Sequence, residues 1–225
     1  MRPSFTALPL LVACLLSAAA SAAPPAPVVL LGDAPRPGVE IVALAPDTTH
    51  LLEGDTVSAD AALRTTFPGS VIELARSKRA DGGAALTLQW RQIWKSGVAL
   101  QTAPQDLRPF LARGTLAFDL KVDALDAGGL MIKVGCGSSC ERQVPYVLPG
   151  RAAQGKGWQR VELALSCFAR DGDDFSQVAR PFALEGTGSG QVSIANVTIA
   201  ADGTPNTACP DWRTVAVTPA RLDEA

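Results

Sequence analysis

Between Gly114 and Ala183 the chain alternates. Leu116, Phe118, Leu120 and Val122 are spaced by Ala117, Asp119 and Lys121. Leu130, Ile132 and Val134 repeat the pattern around Lys133, and Val161, Leu163, Leu165 and Cys167 repeat it again. Side chains along a strand point to opposite faces in turn, so each run has one apolar face and one wet face. Asp126-Ala127-Gly128-Gly129, Gly135-Cys136-Gly137 and Gly155-Lys156-Gly157 separate the runs, and glycine clusters of this kind make turns. One-sided strands must cover their apolar faces with a second layer, so this stretch reads as the centre of a β-sandwich.

The flanks extend the pattern. Val28 to Leu31, Val39 to Leu44 and Ser70 to Ala75 read as strands, and Arg76 to Gly83 as a charged turn. Leu86, Leu88 and Trp90 alternate with Thr87, Gln89 and Arg91, which places Trp90 in the core. Lys95-Ser96-Gly97 reads as a tight turn before Val98 to Gln101. Pro104 to Ala112 holds at most a helical turn, because Pro109 breaks a longer helix. Gly186 to Gly190 reads as a flexible turn. Val192 and Ile194 lie in one phase and Val197 and Ile199 in the other, which predicts a β-bulge near Ala195-Asn196. Trp212 to Val217 reads as a last strand. Strands at about ten-residue spacing predict an all-β single domain, a sandwich or jelly roll, with less than about 15% helix.

The 225-residue chain does not all belong to that fold. Residues 1–23 carry Arg2, an apolar run from Phe5 to Leu16 and the small residues Ala20-Ser21-Ala22, the form of a secretory signal peptide. The apolar run is too short for a membrane span. Leu11-Val12-Ala13-Cys14 has the form of a lipoprotein processing site, but the apolar small residues after it favour ordinary cleavage. Secretion or a periplasmic location is therefore expected, with lipid attachment at Cys14 the lesser alternative. The expected divisions are a leader at 24–37, N-terminal edge strands and loops at 38–83, the sandwich at 84–217 and a tail at 218–225. A formal net charge of −2 gives no electrostatic case for nucleic acid.

No phosphate loop, nucleophile elbow or paired-histidine metal motif is present. His50 is the one histidine, so no triad is supported. Asp119, Asp123, Glu141, Glu162 and Glu185 could in principle form a glycosidase pair, but carboxylates on strand faces are ordinarily solvated alternates. Asp171-Gly172-Asp173-Asp174 resembles a calcium loop without EF-hand spacing, and a plain acidic turn is the simpler reading. No catalytic residue, metal or cofactor is assigned. Trp158 shares the phase of Arg160 and Glu162, the wetter face, and a ligand site mixes apolar walls with a few polar groups. Trp158, Trp94, Tyr146 and Arg160 are thus the candidate carbohydrate-binding residues. The alternative for Trp158 is a ring at a strand start covering the edge of the core.

The segments GTLAFDLKV, GCGSSC, GKGWQRVELALSCFA, FSQVARPFAL and GQVSIANVTI together resemble the C-terminal galactose-binding-like domain of ExoP-type family 3 glycoside hydrolases, over about Ala84 to Ala200. WKSGVAL fits the start of that domain, and residues 28–83 have no clear counterpart. The resemblance implies a jelly-roll β-sandwich of the carbohydrate-binding type. It also implies a non-catalytic, stand-alone module, because the nucleophile and acid of such enzymes lie on other domains. The implied partners are a carbohydrate, a β-glucan or cell-envelope glycan, and a glycoside hydrolase. A structural or protein-interaction sandwich without a sugar site is the alternative.

Four cysteines remain beyond Cys14, and an even count in an exported chain points to disulfides. Cys136-x3-Cys140 could space zinc ligands, but an oxidising compartment favours a disulfide and no histidine lies near. The expected pairs are Cys136–Cys140 and Cys167–Cys209. The first encloses only Gly137-Ser138-Ser139, a turn short enough for the roughly 4.4–6.8 Å Cα separation a disulfide needs. The second ties a strand residue, read as core-facing, to a proline-flanked tail.

Overall fold

The alternating runs are strands. The computed structural model describes residues 23–33, 36–58, 69–126, 128–137 and 140–209. Among these the strands are β1 (Val28–Leu31), β2 (Val39–Leu44), β3 (Thr49–Leu51), β4 (Thr56–Ser58), β5 (Val71–Lys78) and β6 (Ala84–Thr102). They continue with β7 (Thr115–Leu125), β8 (Leu130–Gly135), β9 (Glu141–Pro145), β10 (Trp158–Ala164) and β11 (Phe182–Ala200). One α-helix, α1 (Val147–Ala153), and 3-10 turns at Arg108–Phe110 and Leu165–Phe168 complete the set. The expected signal peptide, Cys14, Trp212 to Val217 and the tail at 218–225 lie outside the described residues.

All strand pairings are antiparallel, and two 19-residue strands organise them. The first half of β6 pairs with β5 and with the second half of β11, which in turn pairs with β7, and β7 with β10. The second half of β6 pairs with β2 and with the first half of β11, which pairs with β8, and β8 with β9. The shared strands bend, and the two halves of the sheet face each other as the layers of a sandwich. Phe118 on β7 meets Phe182 on β11 edge to face, centroids 5.3 Å apart, across that core. One apolar cluster runs from Leu74, Leu88 and Val122 in one layer to Ile132, Val134 and Leu184 in the other.

The bend corrects two expectations. Lys95-Ser96-Gly97 is not a turn, and neither is Gly186 to Gly190; both are strand interior. Glycine serves there for close approach. A Cβ on Gly186 would lie 2.5 Å from the Trp90 ring, and one on Gly190 would also strike that ring. A Cβ on Gly97 would lie 2.5 Å from the Leu184 carbonyl oxygen. Trp90, 1% exposed, fills the inside of the bend and donates its indole N–H to the Thr187 carbonyl at 3.2 Å. Gln92 takes φ 50° there, held by its backbone N–H on Ser189 Oγ at 3.0 Å and by Ser70 Oγ on its carbonyl at 2.8 Å.

Three further expectations change. The strand through Val161 stops at Ala164, and Leu165–Phe168 is a 3-10 turn. Residues three apart stack in such a turn, so Leu165 and Phe168 are buried and Cys167 is only half-buried rather than core-facing. Helix α1 is not among the expected elements; its Pro149 lies in the first turn, where no intrahelical N–H is lost. The turn read as starting at Arg76 starts after Lys78, and β5 pairs with β6 along its whole length. The expected bulge is present: register shifts between Ala195 and Thr198, and Asn196 adopts φ 50°.

Both disulfides have the expected pairing. Cys136 and Cys140 are bonded with Cα atoms 4.9 Å apart, and Cys167 and Cys209 at 5.4 Å. The second staples the tail against the edge of the sheet. Thr207 makes a parallel bridge to Leu163, and Asn206 accepts the Glu162 N–H at 2.9 Å and donates to the Arg160 carbonyl at 2.8 Å. The tail thus satisfies backbone groups that an open edge strand would expose.

Two outcomes follow. Gly190→Ala should lower stability by about 1–3 kcal/mol, because the methyl group overpacks against Trp90; a chemical denaturation midpoint equal to the parent's would contradict that packing. Replacing Cys167 and Cys209 together by serine should cost roughly 3–4 kcal/mol on the loop-closure account, read from the same titration.

Candidate functional site

The outer face of the β5–β6–β11–β7–β10 layer is polar where alternation puts it. Register brings Glu73, Gln89 and Gln191 into one row. A second row runs Ala75, Thr87, Ser193, Lys121 and Trp158. A third places Ala195, Asp119 and Arg160 side by side. Hydroxyls knit the strands: Ser77 Oγ and Thr87 Oγ1 lie 2.9 Å apart, as do Thr87 Oγ1 and Ser193 Oγ. Ser193 is buried although it points away from the core.

That burial comes from curvature. Arg79, in the β5–β6 turn, donates to Asp119 on β7 and lies over Trp158 on β10, 5.2 Å from the ring centroid. Strands β5 and β7 are three spacings apart, about 14 Å along a flat sheet. An arginine side chain does not span that, so the hairpin end folds over the face. The β5–β6 turn and Trp158 thus flank a groove-like strip of short polar side chains, which Arg79 bridges.

Asp119 is the hub of the groove. Its Oδ2 accepts from Arg79 and, at 2.7 Å, from Asn196 Nδ2; its Oδ1 accepts from Arg160 Nη1 at 3.1 Å. Arg160 also reaches the Asn196 carbonyl at 3.2 Å and Glu162 at 3.4 Å. The bulge turns Asn196 onto this face, so a backbone irregularity supplies a ligand of the carboxylate. Burial alone would raise the Asp119 pKa, but the hydrogen bonds from Asn196, Arg160 and Arg79, with the Arg160 charge, outweigh it and hold the carboxyl below its usual range.

The four residues nominated from sequence do not form one site. Trp158, half-buried, and Arg160, exposed, share the groove. Trp94 is 59% exposed but lies on β6 seven residues beyond Thr87, past the bend, roughly 20 Å along the strand from the row of Trp158. Tyr146 is corrected: it is 5% exposed, a core residue whose hydroxyl meets the Thr207 side chain, and burial raises its pKa above the ordinary phenol value. It anchors the stapled tail and offers no face to a sugar. Sequence reasoning passed over Arg79 and Asn196 as binding residues and treated Asp119 only as a solvated alternate. The phase switch at Asn196 was a usable signal; nothing local linked Arg79 to Trp158.

No cation site emerges from the acidic loop. Asp173, its side chain 4% exposed, forms a two-point ion pair with Arg142 and accepts the Arg170 N–H at 2.9 Å. The hydrogen bonds from Arg142, against desolvation by burial, hold its carboxyl below the usual range. Asp174 Oδ1 accepts the Ser176 N–H at 2.8 Å. Cys136, Cys140 and Asp173 bring donor atoms within 4.8 Å of one another, but both sulfurs are committed to the disulfide.

Comparison with known proteins bears on the same fold. The family described as Exop_C, galactose-binding domain-like, matches residues 51–199, which starts ahead of Ala84, where sequence placed the domain. No curated protein matches the chain. The exo-1,3/1,4-β-glucanase ExoP of a Pseudoalteromonas species superposes with a TM-score of 0.63 at 13% identity, over 82% of this chain and 22% of that one. The extra C-terminal domain of that enzyme, taken alone, gives 0.61 at 14% identity, over 80% and 96%. The family 30 carbohydrate-binding module of the Clostridium thermocellum cellulase Cel9D-Cel44B gives 0.54 at 16%, over 80% and 99%. The chain therefore spans about a fifth of the full glucanase and shares the fold of its extra C-terminal domain.

The Asp119 shift predicts a pH effect. A carboxyl with a lowered folded pKa contributes stability above its unfolded value, about 3.9, and that contribution is lost as pH falls through the folded value. Asp119→Asn should therefore flatten the acid limb of a stability-versus-pH curve below about pH 4. An unchanged acid limb would show that Asp119 is not tuned by its three partners.

Proposed function

Because the chain belongs to the galactose-binding-like Exop_C family, we propose that it is an exported, non-catalytic module that binds a carbohydrate in the groove over Asp119. The ligand class is a β-glucan or a cell-envelope glycan, and a glycoside hydrolase is the proposed partner. The observation that carries this is the polar strip under Arg79: hydroxyl, amide and carboxylate groups with one indole ring beside them. Sugars bind where a flat ring can stack on their C–H face while polar groups take their hydroxyls. Glu73, Gln89, Gln191 and Lys121 add polar groups to the same face, and Lys121 is steadied by Asp123 at 2.7 Å.

The proposed export rests on residues 1–23 and on the disulfides, which persist in oxidising compartments. Among the described residues no helix is long and apolar enough to cross a membrane. Trp94 stays a secondary candidate, for an extended ligand that leaves the groove along the bend. One observation favours a second reading, an interaction module without a sugar site: Arg79 already lies against Trp158.

Binding to immobilised 1,3/1,4-β-glucan and to a glycan array separates the two. Trp158→Ala should weaken the tightest glycan interaction roughly thirtyfold or more, the scale of a buried aromatic contact. Full affinity in that variant, or no glycan bound by the parent chain, rejects the groove as a sugar site.

A further inference from the structure

Arg79 enters the groove from the β6 side, opposite Trp158. Trp158 stands on β10, at the edge of its layer, and Arg79 covers one face of its ring. The same guanidinium donates to Asp119 Oδ2 through Nη1 and lies 3.1 Å from Asp81 Oδ2 through Nη2. Its side chain is 20% exposed. The Nε–H is buried without a partner, so the docked state is incompletely satisfied and opening it costs less than breaking a complete network. With Arg79 docked, both features a sugar would use are occupied: the inner ring face of Trp158 and one oxygen of Asp119.

We propose that Arg79 is a tethered occupant of the groove and a determinant of what can enter it. The side chain swings off Trp158 before a ligand stacks there, and the docked arginine competes with every ligand. A ligand replaces Arg79 only by offering both an apolar ring face to the indole and a hydroxyl donor to the carboxylate. A hydroxylated pyranose ring has both; a flat apolar ring has only the first. Asp119 stays organised after the swing, because Asn196 and Arg160 still donate to it. This inference rests on the sugar-binding reading, and its test separates the two.

The test uses the full chain with Arg79→Ala and Arg79→Gln, both checked for parental melting. Acrylamide quenching of tryptophan fluorescence reports ring cover without any ligand. Arg79→Ala should expose a quenchable component that disappears when Trp158→Phe is added. Calorimetric titration with soluble 1,3/1,4-β-glucan oligosaccharide should show Arg79→Ala binding about tenfold tighter than the parent, since removing a competing closed state raises the competent fraction. Arg79→Gln, which keeps a donor but no cation, should fall between. Unchanged quenching overturns the proposal whatever binds. Weaker glucan binding by Arg79→Ala also overturns it, because Arg79 would then be a ligand contact and not a competitor. Increased quenching with no glucan bound by either protein upholds Arg79 as the cover on the ring and rejects the sugar reading instead.

Discussion

The pairing of β6 with β11 carries the molecule. Each strand belongs to both layers, so each must bend where the layers part. A continuous strand bends only where its side chains leave room, and Gly186, Gly188 and Gly190 leave that room on β11. Trp90 takes it up, closing the gap with a large apolar ring whose one polar atom is satisfied by Thr187. Without small residues on one strand and a ring on the other, the two sheets would lie flat and neither apolar face would be covered.

Curvature sets the groove as well as the core. Once the layer coils, residues on its outer face crowd together, and Ser193 becomes buried while Thr87 and Asp119 become half-buried. Burying polar groups is unfavourable unless they are paired. The pairs are present: Ser77, Thr87 and Ser193 with one another, and Asp119 with three donors. The groove is therefore preorganised and, apart from the Arg79 Nε–H, inwardly satisfied.

The edges are handled by separate means. Near β10, the disulfide at Cys209 and the buried Tyr146 hold Asn206 and Thr207 against an otherwise open strand. Near β9, the short Cys136–Cys140 loop and the Arg142–Asp173 pair tie the hairpin to the acidic turn. Arg180 with Glu141 at 2.6 Å ties the loop before β11 to β9, and Lys133 with Glu185 at 2.8 Å joins β8 to β11. The Arg180–Glu141 pair, about a third exposed on both sides, adds little. Both pairs do occupy the charges, leaving the bonded tail and loop to hold the edges in register.

Local alternation determined the all-β class, the core faces of β6, β7 and β8, the place of Trp90 and the bulge at Asn196, because a period of two needs no knowledge of partners. Cysteine count and a short loop led to Cys136–Cys140, while Cys167–Cys209 was reached through a core-facing reading of Cys167 that the 3-10 turn overturns although the pairing holds. Glycine was where local reading failed. Gly97 and Gly186 look like turns in isolation, and only the chain packed against them shows that they are strand residues making room. Tyr146 and Trp158 are both aromatic residues at strand ends, yet one is buried under the tail and the other stands at a rim. The meeting of Arg79, Asp119, Asn196 and Trp158 was decided by tertiary structure alone. It depends on how far a twisted layer curls, and curl is a property of the whole packed sheet rather than of any window along the chain.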